Sequence, residues 1–290
     1  MTDPGPNAVM SERRQLINLG YRLLGSLSDA EDVVQETYAR WYALSDAERD
    51  AIVSPGAWLT KVTGRICLDL LGSARKRRES YVGEWIPEPV PDVADDPADR
   101  VTLDESVSMA FLVVLESMTP AERVAFVLHD VFRYPFGEVA EIVGRTPAAC
   151  RQLASSARHR ISASRATAAP ASQQAEVIRE FKRAWEARDI AALVGLLDPD
   201  AVAVADGGGI ATAQLHPTEG GEQVAQACID IAGRLPGLTL LERTVNGQPG
   251  LVARVDEVTV TVYAFAVADG RITRIWAVRN PEKLRPWTTG

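Results

Sequence analysis

Arg151, Gln152, Ser155, Arg158 and His159 fall on one side of a helix when residues 147–161 are wound at 3.6 residues per turn. Guanidinium, amide, hydroxyl and imidazole groups are the side-chain types that touch phosphates and base edges. Cys150, Leu153 and Ala157 give the same stretch an inward face, and Val139 and Val143 do so for a shorter stretch before it. Ala140 is small where the two helices must approach. Gly144 stands where the turn between them needs a left-handed backbone. Thr146-Pro147 is an N-cap followed by proline at the first helical position. Arg145 and Thr146 stand at the turn, where a DNA backbone would pass. Between Glu141 and Glu176 there is no acidic residue, but Arg145, Arg151, Arg158, Arg160 and Arg165 all occur. The pattern predicts a helix-turn-helix over 136–161 that lays its second helix in a major groove. The plainer alternative is a helical hairpin with a solvated basic face.

A second basic block lies earlier. Ser54-Pro55 opens a helix with Trp58, Leu59, Val62, Ile66, Leu70 and Leu71 as apolar positions. Lys61, Arg65, Arg75, Lys76, Arg77 and Arg78 make it cationic. Trp58 reads as a core anchor or as a stacking surface for unpaired bases. Two further helices precede it. One begins near Glu12, after a frayed tail over 1–10, and carries Leu16, Leu19, Leu23 and Leu24. The other is capped by Ser28 or Asp29, with Val33, Val34, Thr37, Tyr38 and Trp41 inward. Its outer face, Asp29, Glu31, Asp32, Gln35 and Glu36, suits the helix dipole. That face is either solvated or a dock for a basic partner.

Around these blocks the composition is that of a soluble chain of 290 residues, enough for two or three domains. A net charge of −8 is unusual for a nucleic-acid binder until its distribution is seen, since basic and acidic blocks alternate. Cys67, Cys150 and Cys228 lack metal-ligand spacing and suggest reduced, buried thiols in a cytoplasmic protein. No signal peptide, membrane span, metal or cofactor is expected. Glu84 to Glu105 is rich in Pro and Asp and predicts an extended, poorly ordered tether. About 25 such residues reach ~80 Å, roughly two turns of duplex. Within it Trp85 is the exception, because an exposed Trp in a proline-rich spacer wants a pocket.

From Val107 the helical pattern resumes: Val107, Ala110, Phe111, Val114 and Leu115, then Thr119-Pro120 capping Val124, Val127, Leu128 and Val131. Phe126 points the other way, so that helix is expected to be covered on two sides. His129 has no acid and nucleophile beside it and reads as structural. After a small-residue linker over Ala166–Gln173, helices are predicted from Gln174 to Arg188 and from Asp189 to Leu197. Strands are predicted at 201–205, 238–245, 250–255, 258–268 and 271–279, with hairpin turns at Asn246-Gly247 and Asp269-Gly270. That predicts an antiparallel sheet with helices on one face.

Three stretches follow one another in the chain: SDAEDVVQETYARWY, PGAWLTKVTGRICLDLLGSARKRR and MTPAERVAFVLHDVFRYPFGEVAEIVGRTPAACRQL. They occur in the order of regions 2 and 4 of an extracytoplasmic-function (ECF) sigma factor, and residues 10–162 resemble that family. The resemblance implies a multidomain chain: region 2 over 1–80, an acidic linker over 81–105, region 4 over 106–165, and an α+β extension over 166–290. It implies that Asp29, Glu31, Asp32, Gln35 and Glu36 meet core RNA polymerase. It implies that Trp58, Lys61, Arg65, Asp69 and Arg75 recognise and help melt the promoter −10 element. The −35 element would be read by Arg145, Thr146, Arg151, Gln152, Ser155, Arg158 and His159. Arg133 stands where the family pattern has Gly, and Ser156 where it has Arg.

The remainder is similar to the SnoaL-like extension carried by one group of these factors, in the nuclear-transport-factor-2-like superfamily. Trp85-Ile86-Pro87-Glu88-Pro89 resembles the group's WLPEP. Asp206-Gly207-Gly208-Gly209 resembles DGGGK, with Ile210 in place of Lys. Asn280-Pro281-Glu282-Lys283-Leu284 resembles NPDKL. The resemblance implies that these motifs form one regulatory interface, replacing a separate anti-sigma protein. The superfamily includes enzymes, so Asp206, His216, Asp256 and Tyr263 are weighed as catalytic candidates. Their spacing assigns them no reaction, and ordinary surface and turn residues are the expectation. A small ligand in this extension and a plain repressor remain open alternatives.

Overall fold

The structure is a computed structural model. It describes residues 6–79, 81–91, 107–165 and 170–288, with side chains described outside 6–11, 74–79 and 163–165. The described residues divide into two compact units. Residues 6–79 and 114–163 form the first; 81–91, 107–113 and those from 164 onward form the second. The expected region 2 helices and those of region 4 from residue 114 onward thus share one unit.

The first unit opens with α1 (Pro6–Leu24), α2 (Leu27–Tyr42), the short α3 (Asp46–Asp50) and α4 (Pro55–Glu79), of which α1, α2 and α4 pack on one another. α1 begins at Pro6, six residues before the expected start, because proline at N1 gives up no hydrogen bond. Leu16, Leu19, Leu23 and Leu24 are buried as expected. Gly20 lets α1 approach α2 so closely that an added Cβ would stand 3.0 Å from the Ala30 Cβ. Thr37 and Thr63 share a buried hydroxyl pair at 3.0 Å between α2 and α4.

α5 (Met109–Glu116) spans the division between the units. α6 (Pro120–Phe126) opens on a capping box from Thr119 and Glu122, and its last five residues are buried, Phe126 included. It runs into a π-turn over Val127–Val131. α7 (Phe136–Val143) and α8 (Pro147–Arg165) follow, joined at Gly144, whose φ is 68°. Arg133 adopts φ 65°, so it keeps the backbone shape for which the family uses Gly.

In the second unit, α9 (Ala171–Glu186) and α10 (Ile190–Leu196) precede β1 (Leu197–Asp206), β2 (Thr218–Glu219) and α11 (Gly221–Arg234). Then come β3 (Thr239–Val245), β4 (Gln248–Val255), β5 (Val258–Ala268) and β6 (Arg271–Val278), in a sheet ordered β2-β1-β6-β5-β4-β3. The sheet is mixed, because β1 lies parallel to β6. Asn246-Gly247 and Asp269-Gly270 have positive φ at both positions, as two-residue hairpins require. Helix α11 escaped the sequence reading, although Val224, Ala225 and Cys228 are buried at helical spacing along it.

Alternation along the strands feeds two cores. Tyr263, Phe265 and Ile275 face α9, α10 and α11, where Phe181 meets Phe265 and Trp185 meets Tyr263 edge to face. Val252, Val262, Ala264, Trp276 and Val278 face the other way. No helix of the α9–α11 layer covers that second face. Ile86, Met109 and Leu284 do, together with Trp287. Residues 81–91 are therefore docked rather than extended and loose. The 92–105 portion of the expected tether lies outside the described residues.

Candidate nucleic-acid interface and linker clasp

Helix α8 buries Cys150, Ala154, Ala157 and Ile161. That spacing leaves Arg145, Thr146, Arg151, Gln152, Ser155, Arg158 and His159 exposed, all seven of the expected −35 residues. The Thr146 hydroxyl accepts the Ala149 N–H at 3.2 Å, fixing the start of the helix. Two cations on this face are oriented from within the unit. Arg151 lies over the Phe136 ring at 5.5 Å, and Phe136 is in turn stacked on His129 at 3.8 Å. Arg158 Nε donates to Asp130 Oδ1 at 2.6 Å. Ser156, where the family has Arg, donates to Glu122 Oε1 at 2.8 Å and ties α8 to the capping box of α6. His129 is structural: its Nδ1 lies 2.9 Å from the Tyr134 carbonyl.

On α4, Trp58 is half-buried and packs edge to face on Trp41 at 5.3 Å. Asp69 and Arg65 are exposed and Lys61 is half-exposed. Both cations are engaged by one residue of α7. Lys61 Nζ donates to Glu141 Oε2 at 2.5 Å, and Arg65 donates to the Glu141 carbonyl at 3.0 Å. The Arg75 side chain lies outside those described. On α2, Asp29, Asp32, Gln35 and Glu36 are exposed and Glu31 is half-buried, opposite buried Ala30, Val33, Val34 and Thr37. Glu36 accepts from Arg40 at 2.8 Å.

The second unit holds a different constellation. Asp206 is fully buried at the end of β1. Its Oδ1 accepts the Tyr81 hydroxyl at 2.7 Å and the Gly208 N–H at 3.0 Å. Its Oδ2 accepts the Ile86 N–H at 3.0 Å and Lys283 Nζ at 2.7 Å. Lys283 donates as well to the Ile86 carbonyl at 2.5 Å, and its charge sits 4.2 Å from the Trp85 ring centroid. Burial, then the hydrogen bond to Asp206, pushes the Tyr81 phenol above its ordinary range. Asn280 donates to the Tyr81 oxygen at 3.0 Å. A Cβ at Gly207 would strike the Ala211 carbonyl and one at Gly208 would strike Asn280, which is why this loop needs its glycines.

Further along, Trp287 donates to the Pro89 carbonyl at 2.8 Å, and Asn246 Oδ1 accepts the Val90 N–H at 3.1 Å. Pro87, Glu88, Pro89 and Leu284 are buried, and Pro281 is exposed. The three motifs singled out in the sequence thus meet, with Lys283 supplying the cation. Ile210, in the place of the group's Lys, is 64% exposed.

The four catalytic candidates do not converge. Asp206 is spent on the clasp, His216 is exposed, Asp256 is in a turn and Tyr263 is in the helix-side core. Sequence reasoning missed Tyr81, Trp287, Asp130 and Glu141 as contact residues. Tyr81 and Trp287 had a usable signal, being aromatics within a few residues of recognised motifs. Cys67, Cys150 and Cys228 are all buried. Among the described residues no helix is long and apolar enough to cross a membrane, and no cluster could hold a metal ion.

Comparison with known proteins bears on both units. The sigma-70 region 2 family model matches residues 8–77, and the sigma-70 region 4 model matches residues 108–161. The chain is 39% identical over 286 residues to the ECF RNA polymerase sigma factor SigJ of Mycobacterium tuberculosis, covering 94% of this chain and 90% of that one. It is 35% identical over 287 residues to the probable ECF RNA polymerase sigma factor SigI of the same species, covering 98% and 96%. The crystal structure of M. tuberculosis SigJ superposes with a TM-score of 0.78 at 35% identity, over 97% of this chain and 98% of that chain. A likeness that runs through both units of the fold at this identity settles the family: the chain belongs to the ECF RNA polymerase sigma factors.

Proposed function

We propose that this chain recruits core RNA polymerase through the acidic face of α2, helps open the −10 element with α4, and reads the −35 element with α8. The observation that carries the reading is the exposed face of α8. Five polar or cationic groups project from the helix and two more, Arg145 and Thr146, from the left-handed glycine turn that sets it, in a chain of sigma-factor descent. Arg151 and Arg158 hold phosphates or guanines, and Gln152 and Ser155 tune sequence.

The SnoaL-like unit governs this activity in cis, in place of a separate anti-sigma protein, and no catalytic role is assigned to it. Support comes from the clasp, which ties the segment that follows α4 to buried Asp206 and Lys283. Releasing residues 81–91 would add ~35 Å of extended chain between the two DNA-contacting helices. The clasp thereby sets how far apart the two promoter contacts can stand.

Run-off transcription with core polymerase tests the proposal, comparing the full chain with one ending near Ala169. Both should initiate above core enzyme alone. Trp85→Ala should change the output of the full chain and leave that of the shortened chain unaltered. A chain that binds duplex but never opens it would be a repressor. Equal response of both chains to Trp85→Ala would remove the regulatory role of the clasp.

A further inference from the structure

Glu141 lies on α7, within the helix-turn-helix, yet its polar contacts are on α4. Its carboxylate holds Lys61 at 2.5 Å and its carbonyl holds Arg65 at 3.0 Å. Nothing in the turn geometry of α7 and α8 calls for an acid at this position. The contact around it is mixed in character. Thr60 and the Tyr134 hydroxyl are 2.8 Å apart, and Gln15 donates to the same hydroxyl at 3.3 Å. Gly64 is buried where an added Cβ would stand 3.0 Å from Ile142 and 3.8 Å from Leu128. With the carboxylate on the ammonium and the carbonyl of the same residue on the guanidinium, Glu141 places oxygen acceptors where a nucleic-acid phosphate would sit on these two cations.

We infer that Lys61 and Arg65 form a phosphate site for the opened −10 strand, and that Glu141 fills it in the free chain. The inference rests on the α4 assignment made above and extends it. The protein withholds its strand-binding cations with an acid from its own duplex-reading module. Engaging the −10 strand then requires α7 to leave α4, which couples the two promoter contacts. The ion pair is half-exposed, with Lys61 at 36% and Glu141 at 59%. It is therefore a weak lock that DNA and polymerase together can displace.

The test uses the full chain and a single-stranded oligonucleotide of mixed sequence, because phosphate contacts are sequence-independent. Glu141→Gln should tighten binding about fivefold, the factor a surface ion pair represents. It should also steepen the dependence of log K on log salt by about 0.7, since freeing Lys61 neutralises one further phosphate. Glu141→Lys should do both more strongly. Adding Lys61→Ala and Arg65→Ala to either variant should abolish the gain. Unchanged affinity and slope in both Glu141 variants would overturn the inference, as would a gain that survives loss of the two cations. The α4 assignment fails separately: promoter opening with core polymerase would then be indifferent to Lys61→Ala and Arg65→Ala.

Discussion

Among the described residues the Asp206 side chain has four hydrogen-bond partners, all inside the second unit, and one of them, Lys283, makes a charge pair almost without solvent. Replacing one partner strands the other in low dielectric. Asp206→Asn should therefore cost ~3 kcal/mol, read as a fall in the urea midpoint of that unit. The double variant with Lys283→Met should recover most of the loss; a single-variant cost below ~1 kcal/mol would mean that solvent reaches the pair. At Glu122 the expectation concerns pH. Burial pushes its carboxyl up, but hydrogen bonds from the Thr119 N–H, the Ser156 hydroxyl and the Thr119 hydroxyl, with Arg160 nearby, outweigh this and hold it below the ordinary range. A depressed native pKa gives stability that is present above the unfolded value and lost as pH falls through the native one. Amides of α6 and α8 should exchange faster in Glu122→Gln than in wild type at neutral pH. That difference should close below about pH 4; a difference independent of pH would assign the effect to packing.

Among the elements, the two left-handed residues that bracket α7 give opposite expectations. Gly144 at φ 68° has nothing within 4 Å of an added Cβ, so any residue there meets only backbone strain. Arg133 at φ 65° already bears that strain. Arg133→Gly should stabilise the first unit by ~1 kcal/mol. A stability loss in that variant would show that its side chain contributes more than its backbone conformation costs. The missed helix α11 teaches the converse. Its apolar residues are regularly spaced, but it starts at Gly221 after Gly220, with no side-chain cap to announce it.

For the molecule as a whole, the second face of the sheet decides how the chain is organised. Val245, Val252, Val262, Trp276 and Val278 are apolar on the side away from α9–α11. Left bare they would form an exposed patch of the kind that recruits a partner. The partner is in the same chain. Ile86 enters that face at 1% exposure, and the prolines around it are already restricted before docking, so little entropy is lost. Ile86→Ala should cost ~2–4 kcal/mol of docking. The Ile86, Val90 and Asn246 amides should then exchange faster while β5 amides stay protected. Uniform loss of protection across the second unit would mean that the segment and the sheet unfold as one.

The sequence by itself determined the helix-turn-helix, its outward side chains and the family, because capping, the glycine turn and apolar spacing are local rules that 26 consecutive residues, 136–161, can satisfy. It also marked Trp85, Asp206 and Lys283 as belonging together. Only tertiary structure decided that 81–91 are docked, that β1 runs parallel to β6, and that Glu141 answers to Lys61 and Arg65. Each of those facts joins residues about 70 or more positions apart. No local periodicity encodes such a pairing, and an apolar strand carries no mark of what will cover its second face.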